Sequence, residues 1–546
     1  MCILKFMLFY CVICIFFSCS SLHKEQLENA LSFATFNRLE LEKVLKHYEH
    51  DSLKLEAAKF LIRNMPHCYS YQQGGEMDSV KRVRTYYSPF GQIDQTYARR
   101  WGHYTYRNLL KIYDAHIITA EYLIDNIDRA FDNWQKRPWN RSLSFEDFCE
   151  YLLPYRIGDE PLEEWRELYE KKYGYLLDSI YKGSDVVEAA NLVSKHLQEP
   201  VFIYCEDFEL PHIGPRYLFS HRYGSCVDAA DIVTYAFRAV GIPCMEDTDA
   251  RGGHVWNVVR DTTESDVPIW YIASEAVRGS RDTGGYKRGK VYRSMYGFQE
   301  EKAAHLGDDW KSVPLLFYHP YMKDVSYAYY PDTLRILTGI PDGEVCYLAH
   351  FHEAHWWSCA CARSASGKME IPNLESELVY LPMKYTKGNY YPSGFPFWFA
   401  GGEINTFLPD WEKTVKVRLY RKYPVYGWLR SFMGHVVGGT FEGSMTKNFE
   451  DGKTLYEIAD TPVIARNRIF LNKPVKCRYI RYKADNDKCA ELAEMTFYAN
   501  GKAVSPIAVW GSPTEKGNMH VLAKHVADGD PVSYTHLRAH ETAANL

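Results

Sequence analysis

The most informative part of the sequence begins with Gly-Ser-Cys at residues 224–226 and continues through an apolar segment that ends in Gly-Ile-Pro at residues 241–243. A second short stretch, His-Val-Trp-Asn, lies at residues 254–257. Cys226 and His254 are the residue types that a cysteine nucleophile and its general base require. These motifs therefore direct attention to thiol chemistry.

The residues between the first two motifs have helical spacing. Apolar or small side chains recur every three or four positions, at Cys226, Ala229, Ala230, Val233, Phe237 and Val240. Ser225 is suited to the N-cap with Asp228 as an acidic capping-box partner, and Gly241 is suited to the position after the helix. The pattern predicts a helix that begins at Cys226, where the unpaired N–H groups and the positive dipole end favour a thiolate.

After this helix the apolar period changes to two residues. Residues 244–249, 254–260 and 269–274 are predicted to be short strands separated by polar and glycine-containing turns. An antiparallel arrangement of these strands brings His254 back to the start of the helix. We therefore expect Cys226 and His254 to form one site.

The Gly-Ser-Cys motif, the Gly-Ile-Pro helix exit and His-x-Trp-Asn together resemble the transglutaminase-like core, a branch of the papain-like cysteine enzymes. The resembling segment, roughly residues 185–277, is a minor part of the chain. The resemblance implies an α+β core in which Cys226 is the nucleophile and His254 the general base. It also implies a thioester acyl-enzyme, with the Cys226 N–H as one donor to the oxyanion.

The third catalytic residue of that family is an Asp four residues after a Trp on the next strand, and this chain departs from the pattern. Counted from Trp270, the position holds Ser274, with Glu275 adjacent. Glu275 faces the other side unless the strand ends or bulges there, and Asn257 has the same problem relative to His254. Ser274, Glu275 and Asn257 all remain candidates for the residue that orients the imidazole.

The composition is that of a globular protein and limits the partners. The chain has 546 residues, of which 46% are hydrophobic and 24% charged, so several domains are expected. A net charge of −5 gives no electrostatic reason to expect nucleic-acid binding. The 14 cysteines show no small-scaffold framework and neither require nor exclude disulfides.

The N terminus resembles a bacterial lipoprotein signal. An apolar run at residues 6–17 is too short to span a bilayer and is followed by Ser-Cys-Ser-Ser at residues 18–21. The resemblance implies that residues 1–19 form a signal peptide and that Cys19 is lipidated. Ordinary signal-peptidase cleavage and a retained anchor are the alternatives. The expected location is the cell envelope, with a lipid anchor in the outer membrane and a periplasm-facing or surface-exposed chain.

Residues 20–184 have the periodicity of a helical region. Asn37 with Glu40 resembles a capping box, and Asp51 is suited to cap a helix over residues 52–65. Two longer amphipathic runs cover residues 101–134 and 144–179.

The second of these runs contains residues 145–156, which resemble a helical region that precedes transglutaminase-like cores in bacterial envelope proteins. Arg156, at the end of this stretch, is predicted to form an ion pair or a packing contact. Contact with the active-site cleft is the alternative.

The predicted core covers residues 185–320, and helical periodicity is lost beyond it. Residues 325–423 alternate with Gly and Pro punctuation, which predicts an antiparallel β-sandwich. The sequence also holds a group of His and Cys residues here, at His350, His352, Cys359 and Cys361. Their spacing does not match structural zinc sites, so we predict a polar strand edge and neither a metal nor a cofactor.

Residues 424–505 resemble a discoidin-like β-sandwich. The more specific signal is Arg-Tyr-Ile-Arg-Tyr at residues 478–482, followed by Ala-Glu-Leu at residues 490–492. The resemblance implies binding of glycans or peptides at loop tips, with a purely structural spacer as the alternative.

The last part of the chain is predicted to be incomplete. Residues 506–531 resemble the start of a truncated further domain, and residues 532–546 resemble a translated sequencing adapter, which we interpret as an assembly artefact. The natural chain is expected to be longer, and the segment after about residue 500 is expected to be loosely packed.

The sequence therefore predicts a multidomain α+β envelope protein with a helical N-terminal region, a transglutaminase-like α+β core, a β-sandwich and a discoidin-like β-sandwich. The expected activity is that of a cysteine peptidase or amidase; water as acyl acceptor gives hydrolysis, and an amine gives crosslinking. The alternative is a non-catalytic glycan- or peptide-binding surface lipoprotein with a degenerate transglutaminase-like scaffold. Expected partners are a protein, peptide or peptidoglycan substrate, a glycan at the discoidin-like domain, and the membrane through the lipid anchor.

Overall fold

The computed structural model describes residues 22–87, 106–199, 201–204, 210–250, 253–263, 265–272, 274–280, 287–299, 313–337, 339–352, 355–416, 433–462, 467–485, 492, 494–510, 526, 527 and 529. The predictions for residues 1–19, for Cys19 and for residues 532–546 lie outside these ranges. The chain divides into two compact units. The first comprises the described residues up to Phe351 together with Trp356–Leu408, and the second comprises His352, His355 and the described residues from Pro409 onward.

The chain is a mixed α+β protein, with most of its helices in the N-terminal half. The described helices are 22–33, Arg38–His47, Ser52–Asn64, Gly75–Tyr87, Ala120–Lys136, Phe145–Tyr151, Arg166–Tyr175, Val186–His196, Pro215–Ser220, Cys226–Val240 and Leu315–Tyr318. None of the described helices is long and apolar enough to cross a membrane. None of the eight described cysteines forms a disulfide.

Both predicted helix starts in the N-terminal region are confirmed. Asp51 caps the helix Ser52–Asn64 by accepting the Lys54 N–H at 3.1 Å. The helix Arg38–His47 begins directly after Asn37, but the predicted capping box with Glu40 was wrong, because Asn37 ends a 3₁₀ turn and its side chain does not cap the helix.

These two side chains instead bind another segment. The Asn37 amide donates to the carbonyls of Ala115 and Ile118 at 3.0 and 2.8 Å, and Glu40 accepts the Ala120 N–H at 2.8 Å. These hydrogen bonds therefore connect the helix Arg38–His47 to the start of the helix Ala120–Lys136.

The amphipathic run over residues 144–179 is divided into two helices, Phe145–Tyr151 and Arg166–Tyr175. The division follows Pro154, because proline cannot donate to the helical ladder and disfavours a helical residue before it. The chain between the two helices is irregular and mostly buried.

Arg156 lies in this irregular segment and forms the predicted ion pair. Its Nε and Nη2 atoms lie 2.6 and 2.5 Å from the two carboxylate oxygens of Asp114, and both side chains are buried. Nη1 of Arg156 donates to the Glu160 carbonyl. Removing one partner of such a pair typically costs about 3–5 kcal/mol, because the other charge is left buried and unpaired.

The helix Cys226–Val240, here called the central helix, begins and ends where the sequence predicts. Ser225 is its N-cap, and the Asp228 carboxylate accepts the Ser225 N–H at 2.7 Å. Gly241 ends the helix in the left-handed region, with φ of +83°. The helix is buried on all sides, since every residue from Asp228 to Val240 is buried, including those outside the apolar spacing that predicts it.

A helix that is buried on all sides must pair its polar side chains inside the protein. Asp231 lies 3.0 Å from Nδ1 of His212. The Thr234 hydroxyl donates to Glu246 at 2.7 Å, and Arg238 Nε donates to the Cys244 carbonyl at 3.1 Å. These contacts connect the central helix to the elements around it.

The central helix packs against a five-stranded antiparallel sheet, here called the core sheet. In spatial order its strands are Val267–Ile269, Val255–Val259, Cys244–Asp249, Val291–Ser294 and Met322–Asp324. Val233 and Phe237 of the helix share a hydrophobic core with Val259 and Ile269 of the sheet. The predicted strand at residues 244–249 is confirmed, and that at residues 254–260 is confirmed apart from its end residues.

The third predicted strand, residues 269–274, was wrong apart from its first residue, because the observed strand is Val267–Ile269 and ends before Trp270. Beyond it the chain turns, because the Ser274 N–H donates to the Tyr271 carbonyl at 2.9 Å and the Ser274 hydroxyl accepts the Tyr271 N–H at 3.2 Å. Such local serine contacts compete with the sheet ladder. The alternation assumed for residues 269–274 therefore does not apply.

Beyond the core sheet, the described residues between 332 and 406 form antiparallel sheets. One sheet pairs Asp332–Leu337 with Lys368–Leu374, and another contains His355–Arg363, Val345–His352, Leu378–Thr386, Asn389–Pro392, Phe397–Ala400 and Glu403–Thr406. Leu334 and Met369 of the first sheet share a core with Leu348 and Tyr380 of the second. Shorter strand pairs join Tyr69–Tyr71 with Lys111–Tyr113 and Ile203–Tyr204 with Tyr223–Gly224.

His350 was predicted to lie at a polar strand edge, and this prediction was wrong. It is fully buried, and its strand runs between two other strands in the interior of the sheet. The sequence pattern did not indicate this burial, because His350 pairs with Tyr380 on the strand Leu378–Thr386, which lies further along the chain. Within the described ranges, no group of three or more His, Cys, Asp or Glu side chains is arranged to hold a metal ion.

The second unit contains short antiparallel strands. Thr440–Ser444 lies between Lys453–Glu457 and Tyr479–Lys483, and Phe497–Ala499 pairs with Lys502–Val504. Residues 505–508 are exposed. Most of the predicted further domain lies outside the described residues.

Candidate functional site

One cleft of the first unit contains both residues of the proposed catalytic pair. Cys226 and His254 line it together with Tyr204, Ala229, Ala230, Val255, Trp256, Asn257, Ile269, Trp270, Tyr271 and Ile272. The fold therefore brings together the start of the central helix and the adjacent edge of the core sheet, as the spacing of Cys226 and His254 predicts.

Cys226 is the first residue of the central helix and is half-buried. Its position in the first turn places it where helix geometry leaves N–H groups without an intrahelical acceptor and where the dipole is positive. Both effects favour the thiolate form over the thiol.

The turn before Cys226 is held by a buried ion pair. Arg84, on the helix Gly75–Tyr87, donates from Nη2 to the Asp228 carboxylate at 2.8 Å, and both side chains are almost fully buried. The same carboxylate accepts the Ser225 N–H. Arg84 thus compensates the negative charge of Asp228, which otherwise disfavours a thiolate at Cys226, two residues away.

Gly224 is required by the close approach of the Asp228 carboxylate. A Cβ atom at this position lies 2.2 Å from Oδ2 of Asp228, far inside van der Waals contact, and φ is +155°. Only glycine therefore allows the capping carboxylate to approach the backbone directly before Cys226.

Other described thiols differ from Cys226 in their surroundings. Burial raises the pKa of Cys68 and that of Cys244 to about 12. Burial also raises the pKa of Cys149 and Cys359. These four side chains are therefore protonated at neutral pH and enclosed in the protein.

His254 directly precedes the second strand of the core sheet, and a backbone group orients its ring. Nε2 of His254 lies 2.9 Å from the carbonyl oxygen of Trp270. A carbonyl can only accept, so Nε2 carries the proton and Nδ1 is the acceptor nitrogen of the neutral ring. This is the tautomer that a general base requires when its other nitrogen is already bound.

Two aromatic rings pack against the His254 imidazole. The His254 ring lies 5.9 Å from the Trp256 ring in a stacked arrangement and 5.0 Å from the Tyr271 ring. The Arg288 guanidinium lies 4.8 and 5.0 Å from the rings of Trp256 and Trp270. This packing restrains the ring orientation that the carbonyl contact selects.

Asn257 does not orient His254. Its amide donates to the Ala230 carbonyl at 3.0 Å and to the Thr234 hydroxyl at 2.9 Å, and the side chain is buried. The odd separation of His254 and Asn257 along the chain places them on opposite sides, as strand alternation requires. The geometry therefore gives Asn257 a role in joining the sheet to the central helix.

Ser274 and Glu275 do not contact His254 either. The Ser274 hydroxyl belongs to the turn with Tyr271. Glu275 is exposed and has no hydrogen bond or ion pair to another described residue. The Trp270 carbonyl therefore takes the position on Nε2 for which three side chains had been considered.

Sequence reasoning missed Tyr204, Trp270 and Tyr271 as residues of the site. Tyr204 reaches it through a two-residue parallel pairing with Gly224 that leaves no periodic signal. Trp270 acts through its carbonyl, which every residue type possesses, so no residue type marks it. Tyr271 was included only as part of a strand, and its turn geometry decides its contact with His254.

Comparisons with protein-family models, with curated proteins and with solved structures found no match. The geometry of the cleft, above all the relation of Cys226, His254 and the Trp270 carbonyl, is therefore what indicates a function.

Proposed function

We propose that this chain is a transglutaminase-like cysteine hydrolase that cleaves a carboxamide or peptide bond through a thioester. The observation that carries the proposal is the shared cleft of Cys226 and His254, in which the Trp270 carbonyl holds Nε2 and leaves Nδ1 as proton acceptor. A helix-start thiol with an oriented imidazole is the arrangement that activates a cysteine nucleophile.

In the first half-reaction His254 accepts the thiol proton at Nδ1, and the Cys226 thiolate attacks the substrate carbonyl carbon. The carbon–sulfur bond forms as the π electrons move to the carbonyl oxygen, which the Cys226 N–H stabilises. Collapse of this intermediate breaks the carbon–nitrogen bond. The leaving amine takes the proton from the His254 imidazolium.

In the second half-reaction neutral His254 removes a proton from water, and the resulting hydroxide attacks the thioester carbon. Collapse breaks the carbon–sulfur bond, releases the carboxylic acid and returns the proton to the Cys226 sulfur. An amine in place of water would give transfer. We favour water because no described residue of the cleft selects an amine.

The remaining parts of the proposal follow from the sequence resemblances. We propose a lipid anchor at Cys19, a location in the cell envelope, and a protein, peptide or peptidoglycan substrate. We further propose that residues 325–423 form a β-sandwich and that residues 424–505 form a discoidin-like module that binds a glycan or peptide. The antiparallel strands of both units are compatible with these modules.

A second candidate function is a non-catalytic glycan- or peptide-binding lipoprotein. The observation that favours it is the acceptor on His254, which is a neutral carbonyl in place of a carboxylate. A carboxylate stabilises the imidazolium that forms during catalysis, and losing it in serine triads costs about 10⁴ in kcat.

The two functions are separated by treating the full chain with p-nitrophenyl acetate and following both p-nitrophenol release and intact mass. The hydrolase predicts an acetyl group on Cys226, turnover above the buffer rate, and loss of both in Cys226→Ala and His254→Ala. Cys477→Ala, which changes a thiol of the second unit, is the matched control and should behave as the wild type. Alkylation of Cys226 by iodoacetamide without any acetylation by the ester would instead support the binding protein.

A further inference from the structure

Tyr204 occupies a distinctive place in the cleft. The strand Ile203–Tyr204 runs parallel to Tyr223–Gly224, with Tyr204 directly opposite Gly224 and therefore close to the start of the central helix. Its side chain is 45% exposed and lines the cleft with Cys226 and His254. A hydroxyl on a fixed backbone thus stands beside the nucleophile.

The ring of Tyr204 is held in position. The Phe202 ring packs edge-on against it with centroids 5.1 Å apart, and Phe202 is itself buried in the core below the central helix. The Ile203 N–H donates to the Arg222 carbonyl at 2.9 Å and completes the pairing. Such bracing is what a preorganised donor needs, because it does not have to reorganise during the reaction.

The Tyr204 hydroxyl remains a donor at neutral pH. Its pKa lies above the ordinary value, first because of burial and then because the negative charge of a Cys226 thiolate disfavours a phenolate nearby. The side chains of Tyr204 and Cys226 line the same cleft. A protonated phenol beside a thiolate can donate to an oxygen that becomes negative.

The proposed reaction needs such a donor. Oxyanion sites generally combine a backbone N–H with a second donor, and the Cys226 N–H supplies only the first. Among the described donor side chains of the cleft, the Asn257 amide is bound to Ala230 and Thr234, and Tyr271 packs against the His254 ring. The Trp256 indole N–H donates to Tyr329, and the Trp270 ring packs with that of Trp256 against the Arg288 guanidinium. Tyr204 is the described phenol of the cleft that lies next to the start of the central helix.

We infer that the Tyr204 hydroxyl is the second oxyanion donor of this site. This inference rests on the proposed hydrolase function. As the substrate carbonyl oxygen gains negative charge during attack by Cys226, the Tyr204 hydroxyl donates a hydrogen bond to it without transferring its proton. This hydrogen bond weakens when the carbonyl reforms. The donated bond strengthens in the transition state, so it acts on kcat more than on KM.

The test compares two reactions of Cys226 in the full chain. Acylation by p-nitrophenyl acetate forms an oxyanion, whereas alkylation by iodoacetamide does not. In Tyr204→Phe we expect the acylation rate to fall about 10²–10³-fold, with KM and the alkylation rate within about twofold of wild type. Tyr327→Phe, at an exposed tyrosine outside the cleft, is the matched control and should leave both reactions unchanged.

Three outcomes would overturn the inference. Equal acylation of Tyr204→Phe and wild type would show that Tyr204 gives no oxyanion contact, with the hydrolase function intact. A parallel loss of acylation and alkylation would show that Tyr204 acts on the thiol or on the fold. Absence of acylation in the wild type itself, with Cys226 still alkylated, would refute the hydrolase function and the inference together.

Discussion

His254 donates its Nε2–H to the backbone carbonyl of Trp270 at 2.9 Å. The contact selects one tautomer and leaves Nδ1 as the acceptor nitrogen, yet it requires no particular side chain at position 270. An acidic residue in this role adds a full negative charge, whereas a carbonyl adds only a dipole. The site is thus built to orient the imidazole more than to stabilise its cation.

Cys226 should react at lower pH than any other described cysteine. Its thiolate should be populated well below pH 8.5, because the helix start and the imidazole both favour the anion, and iodoacetamide labelling should reach its plateau accordingly. In His254→Ala the rise should move towards the free-thiol value of about 8.5, because only the helix start then favours the anion. Buried Cys68 and Cys244, with pKa values of about 12, should stay unlabelled in the folded chain. Labelling that rises only near pH 8.5 and ignores His254 would contradict this prediction, which peptide mapping of the alkylated chain can check.

Glu275 should be dispensable for activity. Because its exposed carboxylate does not contact His254, Glu275→Gln should change kcat/KM less than about twofold, whereas His254→Asn should reduce it by about 10⁴-fold or more. Steady-state hydrolysis of p-nitrophenyl acetate measures both variants. A fall of about a hundredfold in Glu275→Gln would mean that the carboxylate reaches the imidazole during turnover.

Asn257 should matter for stability. Replacing it with Ala leaves the Ala230 carbonyl and the Thr234 hydroxyl without their amide donor, a loss that we expect to lower the free energy of unfolding by about 1–3 kcal/mol. Urea titration followed by fluorescence measures the change. Asn405→Ala, on an exposed strand, is the matched control and should stay within about 0.5 kcal/mol. Equal stability of the two variants would disprove the structural role.

Gly224→Ala should disturb the turn before the nucleophile. The added Cβ lies 2.2 Å from the Asp228 carboxylate, so the capping contact must break. We expect the free energy of unfolding to fall by more than about 1 kcal/mol and the alkylation of Cys226 to become slower. Gly339→Ala is the control, since the nearest atom to its Cβ is 3.6 Å away. Urea titration and labelling kinetics test the pair of variants. Unchanged labelling in Gly224→Ala would show that this turn does not set the position of the thiol.

Acid should weaken the segment that follows the cleft. The hydrogen bonds from Arg278, at 2.7 and 2.9 Å, lower the pKa of Asp185 below its ordinary value. A carboxylate with a depressed folded pKa stabilises the fold above the unfolded value of about 3.9, and this contribution is lost as the pH falls through the folded value. The urea midpoint should therefore fall less steeply between about pH 5 and pH 2.5 in Asp185→Asn than in wild type.

The control for this effect is Asp132→Asn, at an exposed carboxylate with no ion pair to another described residue. Its unfolding profile against pH should match that of the wild type. Identical slopes for Asp185→Asn and wild type would contradict the assigned role of Arg278.

The local elements of the site could be predicted because their causes are local. The N-cap at Ser225, the capping carboxylate of Asp228 and the left-handed Gly241 act within one or two turns of the central helix, so the sequence pattern contains them. The strand at residues 244–249 follows from its alternation in the same way. The joint placement of Cys226 and His254 could be anticipated because a helix and the hairpin after it form a short-range unit.

The residue that orients His254 could not be predicted, because it acts through a backbone carbonyl at a turn. The turn depends on mutual hydrogen bonds of Tyr271 and Ser274, which compete with strand pairing by small free-energy differences. The family pattern directed attention to side chains at positions 257, 274 and 275, whereas the geometry is decided by where the strand ends.

The start of the central helix, its caps and the residue types available for thiol chemistry follow from the sequence alone, since they depend on contacts within a few residues. Long-range packing was needed to show that the helix is buried on all sides, that Arg84 pairs with Asp228, and that Tyr204 lies opposite Gly224. Those relations join segments far apart in the chain. They arise because buried charges and unpaired backbone groups must find partners wherever packing brings them, and no local pattern records that choice.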